Sequence, residues 1–423
     1  MTERGAAPLK RHVAAVVAGN ALEFYDFLTY SFFAIYIGEA FFPAKDPVTS
    51  LLASLATFGA GFATRPLGGV LLGILGDRLG RKPAMYLSFT LMGLGMLGVT
   101  LTPSYAQIGL AAPVLLITFR LVQGFALGGE VGPTTAFLIE APPASRRGFY
   151  GSLQSASQYL ATLVAGAVGT LLAALLPRSD LASWGWRVAF FAGAAIIPFG
   201  LMVRRSLPET LDHAAAPPAR ALREHWSTIV FGLMLMGGAT IATYVILSLT
   251  TYAQATLHMP AQWSFGATLA IGIGGVSGAP IGGHMSDRKG RKPVMLTSNG
   301  LLLASTIPVY FALSQWRSGP MLVFAAFYLT FLLAMNAGVG IMTLCELLPP
   351  SVRSGAMSTI YALAIAVFGG SAQFIAVWLT NRLHDPMAPA YYMSAALAVS
   401  FIAISALHES APIRLAKARS PHS

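Results

Sequence analysis

The chain alternates between long apolar stretches and short polar ones, a pattern that predicts membrane-spanning helices. Each apolar segment is long enough to cross about 30 Å of hydrocarbon as a helix. Twelve such segments lie at approximately 13–38, 48–75, 83–103, 107–131, 148–176, 186–205, 226–256, 262–284, 293–314, 320–345, 354–381 and 389–409. Their apolar runs are continuous, whereas a transmembrane β-barrel requires alternating residues. We therefore predict an all-α membrane protein.

Composition supports this prediction and changes the interpretation of the charge. Only 10% of residues are charged and the mean hydropathy is +0.65, whereas soluble domains are about 25% charged. The net charge of +11 would suggest nucleic acid in a soluble protein. In the predicted topology, twenty of the 27 Lys and Arg residues lie on one side of the membrane and five on the other. This asymmetry predicts cytoplasmic termini and no nucleic-acid partner.

The first segment and the single cysteine exclude other classes. Basic residues precede the apolar run, as in a signal peptide, but that run is too long for one, and we interpret it as a retained spanning helix. Cys345 stands alone, so no internal disulfide or cysteine metal site is expected. The glycine-rich stretches "GGVLLG" and "GIGGVSG" lie in predicted helices without a P-loop lysine. We predict no enzyme activity, no cofactor and no metal.

Two motifs repeat at nearly one offset. "DRLGRKP" at Asp77–Pro83 recurs as "DRKGRKP" at Asp287–Pro293, and "EAPPASRRG" at 140–148 pairs with "ELLPPSVRSG" at 346–355. The repeats predict two homologous six-helix halves, with a transport site at their interface. We place the halves at 1–205 and 226–423, joined by a cytoplasmic linker at 206–225.

The duplicated loops "GILGDRLGRK" and "GHMSDRKGRK" resemble the signature of the major facilitator superfamily. "GNALEFYDFLTYSFFA", "TRPLGGVLLGILGDRLGRK" and "FRLVQGFALGGEVG" resemble its metabolite:proton symporter group, and "GFYGSLQSASQ" is most similar to the citrate and tricarballylate branch. The resemblance implies a proton-coupled symporter of the bacterial inner membrane that imports a small carboxylate by alternating access. Relatives that carry 2-oxoglutarate, shikimate or proline and betaine remain alternatives. Gln373 departs from the group, where many relatives carry proline.

Polar residues within the first span are candidates for proton coupling. Asn20, Glu23 and Asp26 step by three and share one broad helix face. A carboxylate at the bilayer centre costs a few kcal/mol or more unless it is protonated, paired or faces a polar cavity. The alternative is a structural ion pair without proton traffic. The deep acidic residues occur only in the first half, which predicts proton coupling there.

Arg120 in the fourth span is the predicted cation. The resemblance implies that Asp26 and Arg120 match the coupling pair of other symporters of the superfamily. Protonation of Asp26 would then release Arg120 to hold a substrate carboxylate. Glu130 is predicted to contribute to coupling, with gating or packing as alternatives.

Several polar side chains are candidate substrate contacts in both halves. They are Asn20, Tyr25, Arg65, Arg120, Gln123, Gln154, Gln158, Thr243, Tyr244, Asn336 and Gln373. Hydroxyl and amide groups can donate to carboxylate oxygens, but they also join helices to each other. Arg65 could bind a second carboxylate or have a structural or coupling role.

The repeated loops are predicted to close a gate at the cytoplasmic side. The aspartates are expected to cap a helix and to meet arginines across the two halves. The gating residues are Asp77, Arg78, Arg81, Glu140, Arg147, Asp287, Arg288, Arg291, Glu346 and Arg353. A topology-fixing basic loop would explain the cations but not the glycine four residues before each aspartate.

A receptor and an efflux antiporter are the alternatives to a symporter. A receptor that binds solute without moving it would carry an appended signalling domain, and the predicted tails are only about twelve residues long. An efflux antiporter would not accumulate solute when the outside is acid. We expect a monomer whose partners are a small carboxylate, protons and the lipid bilayer.

Overall fold

The computed structural model describes residues 3–79, 81–128, 143–194, 226–348, 357 and 360–411. Within these ranges the chain forms helices and short connections, with no β-strand. Eight helices in this part are long and apolar enough to span a membrane, and two shorter apolar helices lie at Tyr86–Leu101 and Ala111–Leu127. The predicted linker at 206–225 lies outside the described residues.

Most of the described helices lie within about five residues of the predicted segments, but the first helix begins at Glu3, ten residues before its predicted start. The first half contains α1 (Glu3–Phe32), α2 (Ala34–Phe41), α3 (Pro47–Ala63), α4 (Arg65–Leu79), α5 (Arg81–Leu101), α6 (Tyr105–Ile108), α7 (Ala111–Leu127), α8 (Arg147–Leu175), α9 (Arg178–Asp180) and α10 (186–194). The second half contains α11 (Trp226–Leu247), α12 (Leu249–Ala255), α13 (Ala261–Lys289), α14 (Arg291–Trp316), α15 (Gly319–Leu347), α16 (Ile360–Leu383) and α17 (Ala388–Ala406).

Three of the predicted spans are interrupted. The breaks fall at Phe33, Thr64 and Ser248. The second break has a local cause, since Pro66 has no N–H to donate to the Phe62 carbonyl. At the break, the Thr64 hydroxyl donates to the Leu121 carbonyl of α7 over 2.7 Å. Arg65 therefore begins a new helix at the point where the second span is held against the fourth.

The two halves meet along a seam of small residues between α8 and α13. Backbone contact at Gly148 with Gly283, and at Gly272 with Leu163, leaves no room for a side chain at any of these glycines. Such seams let helices approach closely within a bilayer. A second seam joins α3 to α16, where a Cβ on Gly59 would overlap the Gly370 carbonyl.

The two ends of the bundle can be told apart by their contacts. We call the end that carries residues 3 and 411 the termini end, and the opposite one the far end. At the far end, the Tyr36 hydroxyl donates to Gln254 over 3.1 Å, and Ser31 and Gln373 exchange hydrogen bonds of 3.0 and 2.6 Å. Both contacts cross from one half to the other, so the described residues join the halves there.

Candidate transport site

Two buried arginines lie beside the first span, in contact with its aromatic side chains. The Arg65 guanidinium carbon lies 4.4 Å from the ring centroids of both Phe27 and Phe62. That of Arg120 lies 4.8 Å from Phe27 and 4.4 Å from Tyr30. Arg120 is fully buried and Arg65 is 7% exposed. Desolvated contacts of this kind stabilise a cation by about 2 kcal/mol or more, so aromatic faces compensate part of the cost of burial.

Close backbone packing fixes both arginines. A Cβ on Gly124 would overlap the Gly61 carbonyl, and a Cβ on Gly68 would overlap that of Phe125. Because α7 touches α3 and α4 backbone to backbone, Arg120 and Arg65 emerge close to α1. Their guanidinium groups contact the same Phe27 ring. The arrangement concentrates positive charge beside the carboxylate-bearing helix.

The two guanidinium groups differ in their hydrogen bonds. Arg120 donates through Nη1 to Gln123 Oε1 over 2.9 Å. Nε and Nη2 of Arg65 are buried and have no hydrogen-bond partner among the described residues. Tyr244 and Tyr361 of the second half lie near enough to interact with Arg65 electrostatically. A buried guanidinium edge between two halves is suited to a carboxylate, which it can bind through two parallel hydrogen bonds.

Several predicted residues fall where the structure gives no side-chain description. Glu23 and Asp26 lie within α1, but their side chains are outside the described set, as are those of Asp77, Arg78 and Arg81. Glu130, Glu140 and Arg353 lie outside the described ranges altogether. The pairing of Asp26 with Arg120 therefore stays a prediction.

The polar residues predicted to contact substrate divide into two groups. Gln154 and Gln158 of α8 lie beside Tyr361. Asn336 of α15 is buried, and neither its amide nitrogen nor its amide oxygen has a partner among the described residues. These residues and Tyr244 remain candidates for solute binding.

The second group is engaged in contacts between helices or within them. The Asn20 amide donates to the Gln154 carbonyl and to Ser157, and so ties α1 to α8. The Tyr25 hydroxyl donates to the Ala189 carbonyl of α10, which places it within the first half. Thr243 donates to a carbonyl of its own helix, and Gln373 is bonded to Ser31.

A charged cluster joins the halves at the termini end. The two carboxylate oxygens of Asp287 accept from the backbone N–H groups of Gly148 and Phe149, over 2.8 and 3.0 Å, and so cap α8. Arg291 lies 2.7 Å from Asp287 and 3.1 Å from Glu346. Gly283, one turn before Asp287, contacts Gly148 directly. The glycine of the repeated motif thus lets the aspartate reach the other half.

Sequence reasoning missed several members of these sites. The aromatic rings that surround the two arginines are Phe27 and Tyr30 on α1 and Phe58 and Phe62 on α3. Ser31 was also missed, although it bonds Gln373 at the far end. Glu409 and Ser410 were missed as well, and they bond Arg291 and Glu346 of the charged cluster. The spacing of four between Phe58 and Phe62 indicates a shared helix face. Nothing in the sequence assigns that face to a cation rather than to ordinary packing.

The fold and these contacts define a multi-pass membrane transporter built from two helical halves. Residues 16–373 match the family model of the Major Facilitator Superfamily, so the chain belongs to that superfamily. This confirms the predicted fold, with twelve spans in two six-helix halves, and a transporter rather than an enzyme.

Curated relatives and a solved structure agree with this assignment. The citrate-proton symporter of Klebsiella pneumoniae is 36% identical over 415 residues, which cover 96% of this chain and 94% of that protein. The alpha-ketoglutarate permease of Escherichia coli is 32% identical, with 94% of each chain covered. The xylose transporter XylE of E. coli, in a partially occluded inward-open conformation, matches 95% of this chain with a TM-score of 0.77 at 15% identity. That structural match supports the fold alone.

Proposed function

We propose that the protein is a symporter that imports a small carboxylate, citrate or a near relative, together with protons. The relation to the citrate-proton symporter over nearly the whole length of both chains carries this proposal. The buried Arg65 edge, which lacks a hydrogen-bond partner among the described residues, is the structural observation that fits an anionic solute.

The proposed site lies between the halves, with Arg65 and Arg120 on one side and Tyr244 and Asn336 on the other. A carboxylate bound to Arg65 would gain charge-assisted hydrogen bonds that water cannot replace in a buried site. The shared Phe27 contact keeps two like charges near one another, and an anion that bridges them would relieve their repulsion.

The proposed coupling uses Asp26 and Arg120. When Asp26 is protonated, its attraction for Arg120 is lost and the guanidinium is available to a substrate carboxylate. When Asp26 releases its proton, it competes for Arg120 and favours release of the anion. Glu23 and Glu130 are proposed as further members of this proton path. Proton and solute then cross in the same direction because each makes binding of the other more favourable.

The proposed cycle opens the far end and the termini end in turn. Ser31 with Gln373 and Tyr36 with Gln254 would separate when the far end opens. The Asp287–Arg291–Glu346 cluster would separate from α8 when the termini end opens. We propose that the termini lie in the cytoplasm of a bacterium and that the transporter acts as a monomer in the inner membrane.

Uptake by purified protein in liposomes tests the proposal. Radiolabelled citrate, tricarballylate, 2-oxoglutarate, shikimate and proline would be offered separately, each with and without an imposed gradient that is acid outside. We expect accumulation of a tricarboxylate that collapses when a protonophore is added. Accumulation of 2-oxoglutarate instead would favour the permease-like alternative, and uptake that ignores the gradient would contradict proton coupling.

A further inference from the structure

A cavity of about 460 Å³ lies at the termini end, between the two halves and outside the proposed transport site. Its lining consists of Ser145, Arg146, Phe149, Tyr150, His284, Asp287 and Arg288. Arg146 comes from the turn that precedes α8 in the first half, whereas His284 and Arg288 come from α13 in the second. An occupant would therefore touch both halves at once.

The charges that face this cavity favour an anion. Arg146, His284 and Arg288 are exposed on its wall. Among the described residues of the lining, Asp287 is the acidic one, and both of its oxygens are engaged by Arg291 and by the backbone of α8. Within the described part of the lining, the side chains of Arg146 and Arg288 therefore remain to bind an anionic group that enters from the surface.

The surface that leads to the cavity is apolar on both neighbouring helices. On α13, Ile273 and Ile281 are exposed and share one face with His284 and Arg288. On α8, Leu160 and Val164 are exposed on the face that continues from Phe149. Towards the cavity, the exposed face of α13 therefore changes from apolar to basic. That of α8 changes from aliphatic to aromatic. This sequence of surfaces matches a phospholipid, with its acyl chains along the helices and its headgroup at the end.

We propose that this cavity binds the headgroup of an anionic phospholipid from the leaflet at the termini end. A free anion would use only the arginines, whereas a lipid also covers the exposed apolar stripe, so the lipid is the favoured occupant. Because the headgroup contacts Arg146 in one half and Arg288 in the other, it stabilises the conformation in which the halves are joined at this end. The lipid thereby slows the opening of that end during transport.

Native mass spectrometry on the full-length protein tests the site. Phosphatidylglycerol is titrated against the protein in neutral detergent, with phosphatidylcholine of identical acyl chains as the lipid control. Each surface arginine near an anionic headgroup contributes about fivefold to affinity. We expect Arg146→Gln/Arg288→Gln to weaken the tightest phosphatidylglycerol site roughly 25-fold. The variant Arg178→Gln/Arg382→Gln removes two arginines at the far end and should leave that site unchanged.

Three outcomes would overturn the proposal. They are equal phosphatidylglycerol affinity in the wild type and the first variant, equal loss in both variants, or displacement of the lipid by millimolar inorganic phosphate, which would indicate a site for free anions.

Transport gives a second readout, because phosphatidylglycerol should slow wild-type uptake relative to neutral liposomes and should have less effect on Arg146→Gln/Arg288→Gln. This comparison uses the ratio between two lipids, so it is independent of which solute the protein carries.

Discussion

The two buried arginines illustrate how an aromatic setting keeps a cation available inside a membrane protein. Arg65 lies between the Phe27 and Phe62 rings, and two of its nitrogen atoms have no hydrogen-bond partner among the described residues. The quadrupole of a ring attracts a cation without occupying its N–H groups. A guanidinium can therefore be buried and still present its edge to an anion.

Substitution of Arg65 should distinguish a substrate contact from a structural one. Arg65→Gln removes the charge, and we expect kcat/KM for the transported carboxylate to fall about 100-fold or more, as when one partner of a buried charge pair is lost. Arg65→Lys should restore little, because an ammonium group neither fills the space between two rings nor binds a carboxylate in a bidentate way. Initial uptake rates over a range of substrate concentrations measure both effects.

Arg187→Lys is the matched control for that experiment. Arg187 also contacts an aromatic ring, with its guanidinium carbon 4.2 Å from Trp186, but its nitrogen atoms donate to the carbonyls of Ser183, Thr100 and Thr102. We expect a lower melting temperature with an unchanged KM. A normal kcat/KM for Arg65→Gln would show that Arg65 only supports the fold.

Asp26→Asn should separate solute movement from proton movement. Asparagine keeps the shape of a protonated aspartate but cannot release a proton, so the exchange with Arg120 would be lost. We expect accumulation driven by an acid exterior to fall to the equilibrium level, while exchange of labelled for unlabelled solute continues. Wild-type accumulation by Asp26→Asn would contradict the proposed coupling. Asp46→Asn, an exposed helix cap at the start of α3, serves as the control.

At the scale of elements, seams of glycine decide which helices can touch. The α3–α16 contact at Gly59 and Gly370 adjoins Phe62 and Tyr244, and both of these rings pack near the arginines. The α16 helix contains a π-helical turn at Ile365–Gly369, immediately before this contact. Such turns occur often at functional sites. Close approach of these two helices covers the proposed site from one side.

Gly59→Ala should impair transport by preventing that approach. The added methyl group would overlap the backbone of Gly370, and overpacking of this kind costs about 1–3 kcal/mol. We expect the maximal uptake rate to fall about tenfold, with a smaller change in KM, because the halves close less completely around bound solute. Gly266→Ala is the control, since a Cβ there meets its nearest neighbour, Val323, only at 4.0 Å. Wild-type uptake by Gly59→Ala would show that this seam does not move with the transport cycle.

The sequence predicted the elements better than their partners. Length and hydropathy placed most of the described helix ends within about five residues, because both follow from the thickness of the bilayer. The first helix is the exception, since it begins at Glu3 and not near residue 13. The break at Thr64 could have been anticipated from Pro66, whereas those at Phe33 and Ser248 have no proline beside them. Spacing along one helix predicts which residues share a face. It does not predict that Gln373 meets Ser31, 342 positions away, because that pair depends on how the two halves dock. Nor does it predict that Glu346 binds Arg291, because that pair depends on how α15 packs against α14 within the second half.

At the scale of the whole molecule, contacts between the halves occur at both ends, and alternating access requires that they break at different times. The termini-end cluster extends further into the second half than the repeated motif alone. Glu409 accepts from the backbone N–H groups of Arg291 and Lys292, and Ser410 donates to Glu346 over 2.6 Å. The segment after α17 thus supports the same cluster that holds α8. Opening at this end therefore requires that Asp287 releases the backbone of α8, because this residue joins the cluster to the first half.

Asp287→Asn should shift the protein towards the conformation that is open at the termini end. An asparagine has one acceptor oxygen in place of two and loses the charge that faces Arg291, so the cap on α8 should weaken by about 0.5–2 kcal/mol. Ser152 is buried at this seam. Its replacement by cysteine, in a Cys345→Ala background, should react with a thiol reagent roughly 2- to 30-fold faster when Asp287→Asn is added.

Asp385→Asn is the control, because Asp385 accepts a backbone hydrogen bond from Met387 within the second half. If both aspartate variants change the rate of labelling equally, the effect is a general loss of stability. If neither does, Asp287 caps α8 without holding the halves together, and the barrier to opening lies elsewhere along the α8–α13 seam.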